Sequence, residues 1–438
     1  MAAAQGWEAG QSPGRRWWLL AVATLQQAGL TFVRFGLPTV APFIRADLGL
    51  SLAQTGAVLG AFDLGALLAF YLTGIATDRL GERWVMGAGA LFTAALTAGA
   101  AGAPTMAVLA ALLALAGVGF PSSQVAGSHA VMGWFPAQER GVAMGVRQAG
   151  LPAGGLSAAL VLPWAASRWG WRVALVVAAA GCALAGLATL IGLAGTGEAA
   201  RRPSPDGANA GRRAAGSRGA VGFWEAPRRF ARSRGLMLTT LMACLLGASQ
   251  FSLTGYLPLY MVDGFGWERQ AAARLLLVVH LGGISGRLLW GWVSDRWFGA
   301  DRVGPLALVC GAGAAAAAGV AALSVWVPLP LLAAGGAALA GGMTLLGWNG
   351  LYVTRISELA GEASAVMLGL SMTVLYIWTM LAPPAFGWLV ERVGGHYALA
   401  WAALGTLPLG ALLAIAGSRR PGVVGEGARV AASTTAGR

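Results

Sequence analysis

The sequence predicts an all-α membrane protein, with twelve transmembrane helices arranged as two pseudo-symmetric six-helix bundles. Three observations carry that prediction. Hydrophobic residues make up 57% of the chain and charged residues 11%, with a mean hydropathy of +0.67, whereas a soluble domain carries about a quarter charged residues. About twelve apolar stretches, each near the roughly 20 residues that cross a bilayer, alternate with polar punctuation. One short signature, Gly74-Ile75-Ala76-Thr77-Asp78-Arg79, returns as Gly291-Trp292-Val293-Ser294-Asp295-Arg296, 217 positions later in a chain of 438 residues. A repeat at nearly half the length means that the second half follows the plan of the first.

Taken in order, the spans are 17–41, 52–76, 84–103, 105–131, 141–166 and 171–195, then 236–261, 271–293, 304–326, 328–352, 364–389 and 396–417. They divide the chain into a tail (1–16), a first bundle (17–195), a linker (196–235), a second bundle (236–417) and a second tail (418–438). Abundant Gly and Ala suit helices that pack by close backbone approach, since lipid supplies no hydrophobic drive between them. Pro38, Pro152, Pro383 and Pro384 fall inside spans, where neighbouring helices re-satisfy the freed carbonyls. The stretch from Glu198 to Ala220 is rich in Arg, Gly, Pro and Ser, cannot bury a core and reads as a flexible linker. From Phe223 to Arg234 aromatics mix with arginines, which reads equally as a helix lying on an anionic leaflet or as a basic loop.

The net charge is +13, and all thirty basic residues are arginine. Such a balance raises nucleic acid as a partner, but its distribution argues against that. Arg15, Arg16, Arg79, Arg83, Arg140, Arg296, Arg302, Arg355, Arg419 and Arg420 fall on one side of the predicted topology, together with the nine arginines of the linker region. The opposite loops hold Arg45, Arg168, Arg172, Arg269, Arg274 and Arg392. The positive-inside bias then makes both termini and the linker cytoplasmic, in an inner (plasma) membrane. The pair Arg15-Arg16 imitates an export signal, but the apolar run behind it is too long and eleven spans follow. Cys182, Cys244 and Cys310 lie within spans and are odd in number, so they predict packing and neither a disulfide framework nor a metal cluster. No phosphate-binding Gly-rich loop, paired metal histidines or nucleophile motif is present, so no enzyme, no ATP-driven pump and no cofactor is expected.

The loop Gly74 to Arg83, which continues Leu80-Gly81-Glu82-Arg83, resembles the signature that the major facilitator superfamily carries between its second and third helices. Gly291 to Arg296 is similar to its second-half counterpart. Trp134-Phe135-Pro136 through Glu139-Arg140-Gly141 before the fifth helix, and Gly170-Trp171-Arg172 opening the sixth, extend the resemblance over nearly the whole chain. It implies the superfamily fold with a central cavity, alternating access by rocking of the two halves, and a monomer. Independently of the resemblance, a carboxylate at Asp78 or Asp295 can sit against the positive N-terminal end of a neighbouring helix while Arg79 and Arg296 pair with nearby acids. Gly74, Asp78, Arg79, Gly81, Arg83, Glu139, Arg140, Gly291, Asp295 and Arg296 are therefore the expected gate residues. The alternative is that these charges only mark the membrane interface and orient the helices. The run Gly145 to Gly155 partly resembles the Gly/Pro pattern of antiporters in this superfamily, but Leu151 separates Gly150 from Pro152, which weakens an inference of efflux.

Few ionisable residues lie within the spans: Arg34, Asp63, Arg147, His280 and Arg287, with His129 near an end. A charge in a bilayer costs at least about 2.5 to 3.5 kcal/mol on insertion scales, so each is a functional candidate. Helical rise places Asp63 and His280 near the midplane, Arg34 outward of it, and Arg147 and Arg287 nearer the cytoplasm. Arg34 is the expected anion contact, because a guanidinium presents a fixed fork to a carboxylate or phosphate. Asp63 either neutralises Arg34 or carries a coupling proton. His280 either shares that proton work or is a hydrogen-bonded core residue. Arg287 is a second anion contact or part of the gate. Gln27, Asn349 and Tyr376 are expected to complete the substrate contacts, with Gln124, Gln250, Tyr256 and Trp348 as further lining. The expected function is secondary active transport of a small organic anion such as a carboxylate, coupled to protons, with membrane lipid as the surrounding partner. An efflux antiporter of the same superfamily is the alternative, and a non-transporting sensor or enzyme on this scaffold is a more distant one.

Overall fold

The computed structural model describes residues 13–50, 52–194, 225–299, 301–325 and 330–418. Among these, ten helices are long and apolar enough to cross a membrane by length and composition. One of the ten, Arg140–Gly192, is two helices that meet at Gly170, whose φ of 84° and ψ of 161° interrupt the helical path. With Pro13–Leu48, the set becomes twelve. They are α1 (Pro13–Leu48), α2 (Leu52–Leu80), α3 (Glu82–Ala101), α4 (Met106–Trp134), α5 (140–169), α6 (171–192), α7 (Arg234–Phe265), α8 (Arg269–Trp297), α9 (Val303–Ala322), α10 (Leu331–Ala360), α11 (Ser364–Arg392) and α12 (Tyr397–Gly417). The tail residues 1–12 and 419–438 and the linker stretch through Phe223 and Trp224 lie outside the described residues. Glu225–Arg232 forms a short helix before α7.

Several helices outrun their apolar spans, for local reasons. The end of α1 is held because Asp47 accepts hydrogen bonds from the Trp171 indole at 2.9 Å and from Arg172 at 2.6 Å, just past the Gly170 break. α2 continues to Leu80, where Gly81 at φ 85° turns the chain directly into α3. That left-handed region strains any residue with a Cβ, which is why the α2–α3 loop needs glycine there. α4 and α10 are irregular within the membrane: α4 is interrupted ahead of Pro121, and α10 contains a π-helical segment at Gly342–Leu346. Cys182, Cys244 and Cys310 are free and buried.

Within the first bundle, α1 and α5 run side by side. Gly150 meets Thr24 and Gly154 meets Ala28 and Thr31, so the Gly-rich run of α5 serves mainly to seat α1. Outside the bundles, Leu68, Leu160, Leu184, Ile191 and Leu413 are exposed, as a surface solvated by acyl chains requires.

The two bundles meet along two crossings, α5 with α8 and α2 with α11, and at both the backbones nearly touch. A Cβ on Gly291 would fall 2.3 Å from the Gly141 carbonyl oxygen, and one on Gly145 2.4 Å from that of Arg287. At the other crossing, a Cβ on Gly74 would fall 2.7 Å from the Ala365 carbonyl oxygen, and one on Gly369 2.6 Å from that of Phe70. Both repeated glycines, Gly74 and Gly291, thus mark where the halves press together. These contacts lie toward the end of the molecule that bears Arg79, Arg140, Arg296 and Arg302, called here the basic face.

Candidate functional site

Arg34 of α1 sits where the bundles meet above the closed crossings. Its Nε donates to Asp63 Oδ1 of α2 at 2.7 Å, and its Nη1 donates to the Tyr376 hydroxyl of α11 at 3.1 Å. The guanidinium lies over three rings, Phe120 at 5.0 Å and Phe35 and Tyr376 at 5.2 Å. Stacking and two fixed hydrogen bonds leave this cation little freedom to turn. The Arg34 side chain is 8% exposed and that of Asp63 34%. The pair borders a cavity of about 210 Å³ whose lining includes Phe35, Leu59, Phe62 and, from the second bundle, Phe251. Drug-sized ligand sites run from roughly 300 to 1,000 Å³, so this space suits a small solute.

The other expected substrate contacts stand elsewhere. Gln27 is buried and donates to Gln148 Oε1 at 2.8 Å, inside the α1–α5 contact. Asn349 donates to Gln250 Oε1 at 3.1 Å, tying α10 to α7. Arg287 is buried, donates from Nη1 to the Gly283 carbonyl at 3.2 Å, and leaves Nε unpartnered. His280 lies two turns before it on α8, with Nδ1 also unpartnered. Neither His280 nor Arg287 borders the Arg34 cavity. Trp348 is buried with its indole donating to the Leu345 carbonyl, and the Tyr256 ring packs on Phe386.

On the basic face the second copy of the signature forms an interlocked cluster. Asp295 accepts from the backbone amides of Gly141 at 3.2 Å and Val142 at 2.8 Å, two first-turn groups of α5 that have no partner within their own helix. Arg302, 1% exposed, donates to Asp295 at 2.5 Å, to Ser294 at 2.7 Å and to the Ala137 carbonyl of the first bundle at 2.6 Å, and pairs with Glu358 at 3.2 Å. The partner of Asp295 is therefore Arg302, the last residue of the α8–α9 turn, while Arg296 is exposed and engages no carboxylate among the described residues. The reason is direction: Arg296 follows Asp295 by one residue and so leaves α8 on another side.

The first copy is built differently. Asp78 and Arg79 are exposed at the end of α2, and Arg79 makes no ion pair among the described residues. Glu82 instead lies 2.7 Å from His129 Nδ1 of α4. Arg83 donates to the Leu190 carbonyl at 2.8 Å, within its own bundle. Arg140 donates to the Phe135 and Met132 carbonyls, both at 3.0 Å, closing the end of α4. Glu139 pairs with Arg16 at 2.9 Å, which ties the start of α1 to the start of α5.

Two six-helix bundles pressed together on one face, with a charged recess at their junction, define a multi-pass membrane transporter. The chain belongs to the Major Facilitator Superfamily, whose family model matches residues 23–383. It is 30% identical to the uncharacterized MFS-type transporter Rv2994 of Mycobacterium tuberculosis over 91% of this chain and 84% of that one. It is 25% identical to the probable sulfoacetate transporter SauU of Cupriavidus necator over 83% of this chain and 84% of that protein. The fold superposes on the proton:xylose symporter XylE bound to 6-bromo-6-deoxy-D-glucose with a TM-score of 0.69, at 15% identity, covering 92% of this chain and 95% of that structure. The protein is a transporter of a small molecule and not an enzyme.

Proposed function

We propose that this protein moves a small organic anion across the inner membrane by alternating access, with a proton carried by Asp63. By the positive-inside bias its basic face is cytoplasmic, and the contacts there give a state closed to the cytoplasm. The single observation that supports the anion reading is the Arg34–Asp63–Tyr376 cluster beside a cavity bordered by both bundles. Arg34 has one carboxylate partner, and an incoming carboxylate or sulfonate competes for the same fork. Protonation of Asp63 weakens its hold on Arg34 and frees the guanidinium, so anion and proton arrive together and the recess stays close to neutral. Sulfoacetate, the anion named for one relative, offers a carboxylate and a sulfonate, either of which can meet the Arg34 fork. Asp295, Gly141 and Arg302, with the expected gate residues Gly74, Asp78, Arg79, Gly81, Arg83, Glu139, Arg140, Gly291 and Arg296, hold or border the face that must open.

Uptake and counterflow in proteoliposomes with sulfoacetate, succinate and a neutral sugar test this reading. Anion flux that rises with an inward proton gradient, falls at least tenfold in Arg34→Ala and loses its gradient dependence in Asp63→Asn is the expected result. Movement of the sugar without either anion overturns the substrate assignment.

A further inference from the structure

Arg34 has a carboxylate partner; Arg147, the more fully buried arginine of the first bundle, has none among the described residues. Arg147 lies two turns into α5 and is 0% exposed. Its Nη1 donates to the Ser128 hydroxyl of α4 at 2.9 Å, while Nε and Nη2 have no partner. Those two nitrogens form one side of the guanidinium, the side that presents two parallel N–H groups to a carboxylate or sulfonate. Anchoring one nitrogen and leaving that whole edge unused is a costly way to fill a membrane core, because each buried donor without a partner forfeits its hydration. The surroundings are polar and ordered. Gln148 accepts from Gln27 at 2.8 Å and reaches Gln124 at 3.5 Å, and Ser128 in turn donates to the Gln124 carbonyl. Gly127 lets this edge lie against α4: a Cβ there would fall 2.6 Å from Nη2 and 2.9 Å from Nε, so the edge is covered by backbone alone.

The position of this slot explains why it is closed here. Gly145, half a turn before Arg147, presses on the Arg287 carbonyl, and a Cβ on Gly350 of α10 would fall 3.3 Å from the Gly145 nitrogen. The α1–α5 pairing sets Arg147 level with the stretch before Thr24, so Arg34 lies roughly 15–20 Å farther from the basic face at 1.5 Å per residue. Opening that face must part α5 from α8 and α10, and it uncovers the α4–α5 side on which Arg147 sits.

We infer that Arg147, with Ser128 and Gly127, forms a second anion subsite that receives the carboxylate or sulfonate group in the state open to the basic face. Arg34 serves the state open to the opposite face, so the anion is handed between two cations of the same bundle. This inference rests on the anion reading above and adds to it a residue and a state.

The test is transport of sulfoacetate and succinate in proteoliposomes of fixed orientation, with half-saturation measured separately from each face. Arg147→Gln is expected to raise half-saturation at least tenfold from the basic face and by less than twofold from the other. Gly127→Ala, which crowds the same edge, is expected to shift it the same way while keeping the charge. Arg147→Lys, with a charge and no fork, falls between. Since a buried unpaired cation burdens stability, Arg147→Gln is expected to unfold no lower than the parent, which separates a lost site from a misfolded protein. Equal half-saturation from the basic face in parent, Arg147→Gln and Gly127→Ala overturns the inference and leaves the anion reading standing. A parent that moves neither anion removes both.

Discussion

The two copies of the loop signature share a sequence and a glycine but not a latch. Gly74 and Gly291 do the same thing: each lets a helix of one bundle touch the backbone of the other. Asp78 and Asp295 do not. Asp295 lies one turn beyond Gly291 and finds two unpartnered amides at the start of α5. Asp78 lies one turn beyond Gly74, exposed at the end of α2, and its charged neighbours are Glu82 and His129 of its own bundle. A carboxylate strengthens a helix terminus only where free N–H groups remain for it. The difference therefore lies in what stands beside each aspartate, two helix-start amides for Asp295 and the exposed end of α2 for Asp78. It makes the α5–α8 crossing the polar lock of the closed face and leaves α2–α11 held by packing.

The largest expected effect follows from that asymmetry. Asp295→Ala leaves Arg302 buried with its charge matched only by Glu358, and removing one partner of a buried pair costs about 3–5 kcal/mol. Thermal unfolding of the purified protein should drop clearly, and a cysteine placed at Met144, buried at the α5–α10 contact, should become open to alkylation from the basic face. Asp78→Ala should change both by little, within about 0.5 kcal/mol for an exposed site. Equal losses in the two variants would sink the comparison, since they would mean that both copies latch.

Alanine at the two glycines comes next in size and sharpens the same point. A Cβ at position 291 or 74 meets backbone oxygen at 2.3 or 2.7 Å, so neither crossing can accept it without moving apart. Overpacking of this kind costs about 1–3 kcal/mol. Gly291→Ala and Gly74→Ala should both raise alkylation at Met144→Cys, to a similar degree, if the glycines are equivalent. A large response to only one of them would show that the asymmetry extends from the aspartate to the helix crossing.

What the sequence made legible follows the same division between chain and partner. Apolar length and the 217-residue repeat point to twelve helices in two similar bundles, because apolar length belongs to each helix alone and the repeat to the chain. Arg34 and Asp63 were legible as candidates because charge in a span is costly wherever it points, and they do meet. The rest depended on rotation about helix axes, to which a single sequence is nearly silent. Gln27 and Asn349 carry amides that a polar cavity could use, yet both are turned into interhelical hydrogen bonds. In the sequence Arg302 is one of many arginines on the basic side, although its place seven residues after Asp295, behind Asp301 at the start of a helix, is a signal that the chain doubles back. Arg147 was visible as a buried charge, but its unused edge appears only once Ser128 and Gly127 are placed beside it.

The smallest expected effects lie in the arginines of the signature, Arg79 and Arg296. Each directly follows the conspicuous aspartate, so each is a natural choice for its partner, yet both are exposed and neither pairs with a carboxylate among the described residues. An exposed arginine without a carboxylate partner contributes within about 0.5 kcal/mol to folding. Arg296→Ala should therefore leave unfolding temperature and alkylation at Met144→Cys unchanged, whereas Arg302→Ala should approach the Asp295→Ala result, because the two form one buried unit. Combining Arg302→Ala with Asp295→Ala should then cost less than the two single losses added together. If Arg296→Ala instead matched Arg302→Ala, the lock would be spread along the end of α8, and the contrast between the two copies would have to be drawn from the whole helix end and no longer from one aspartate.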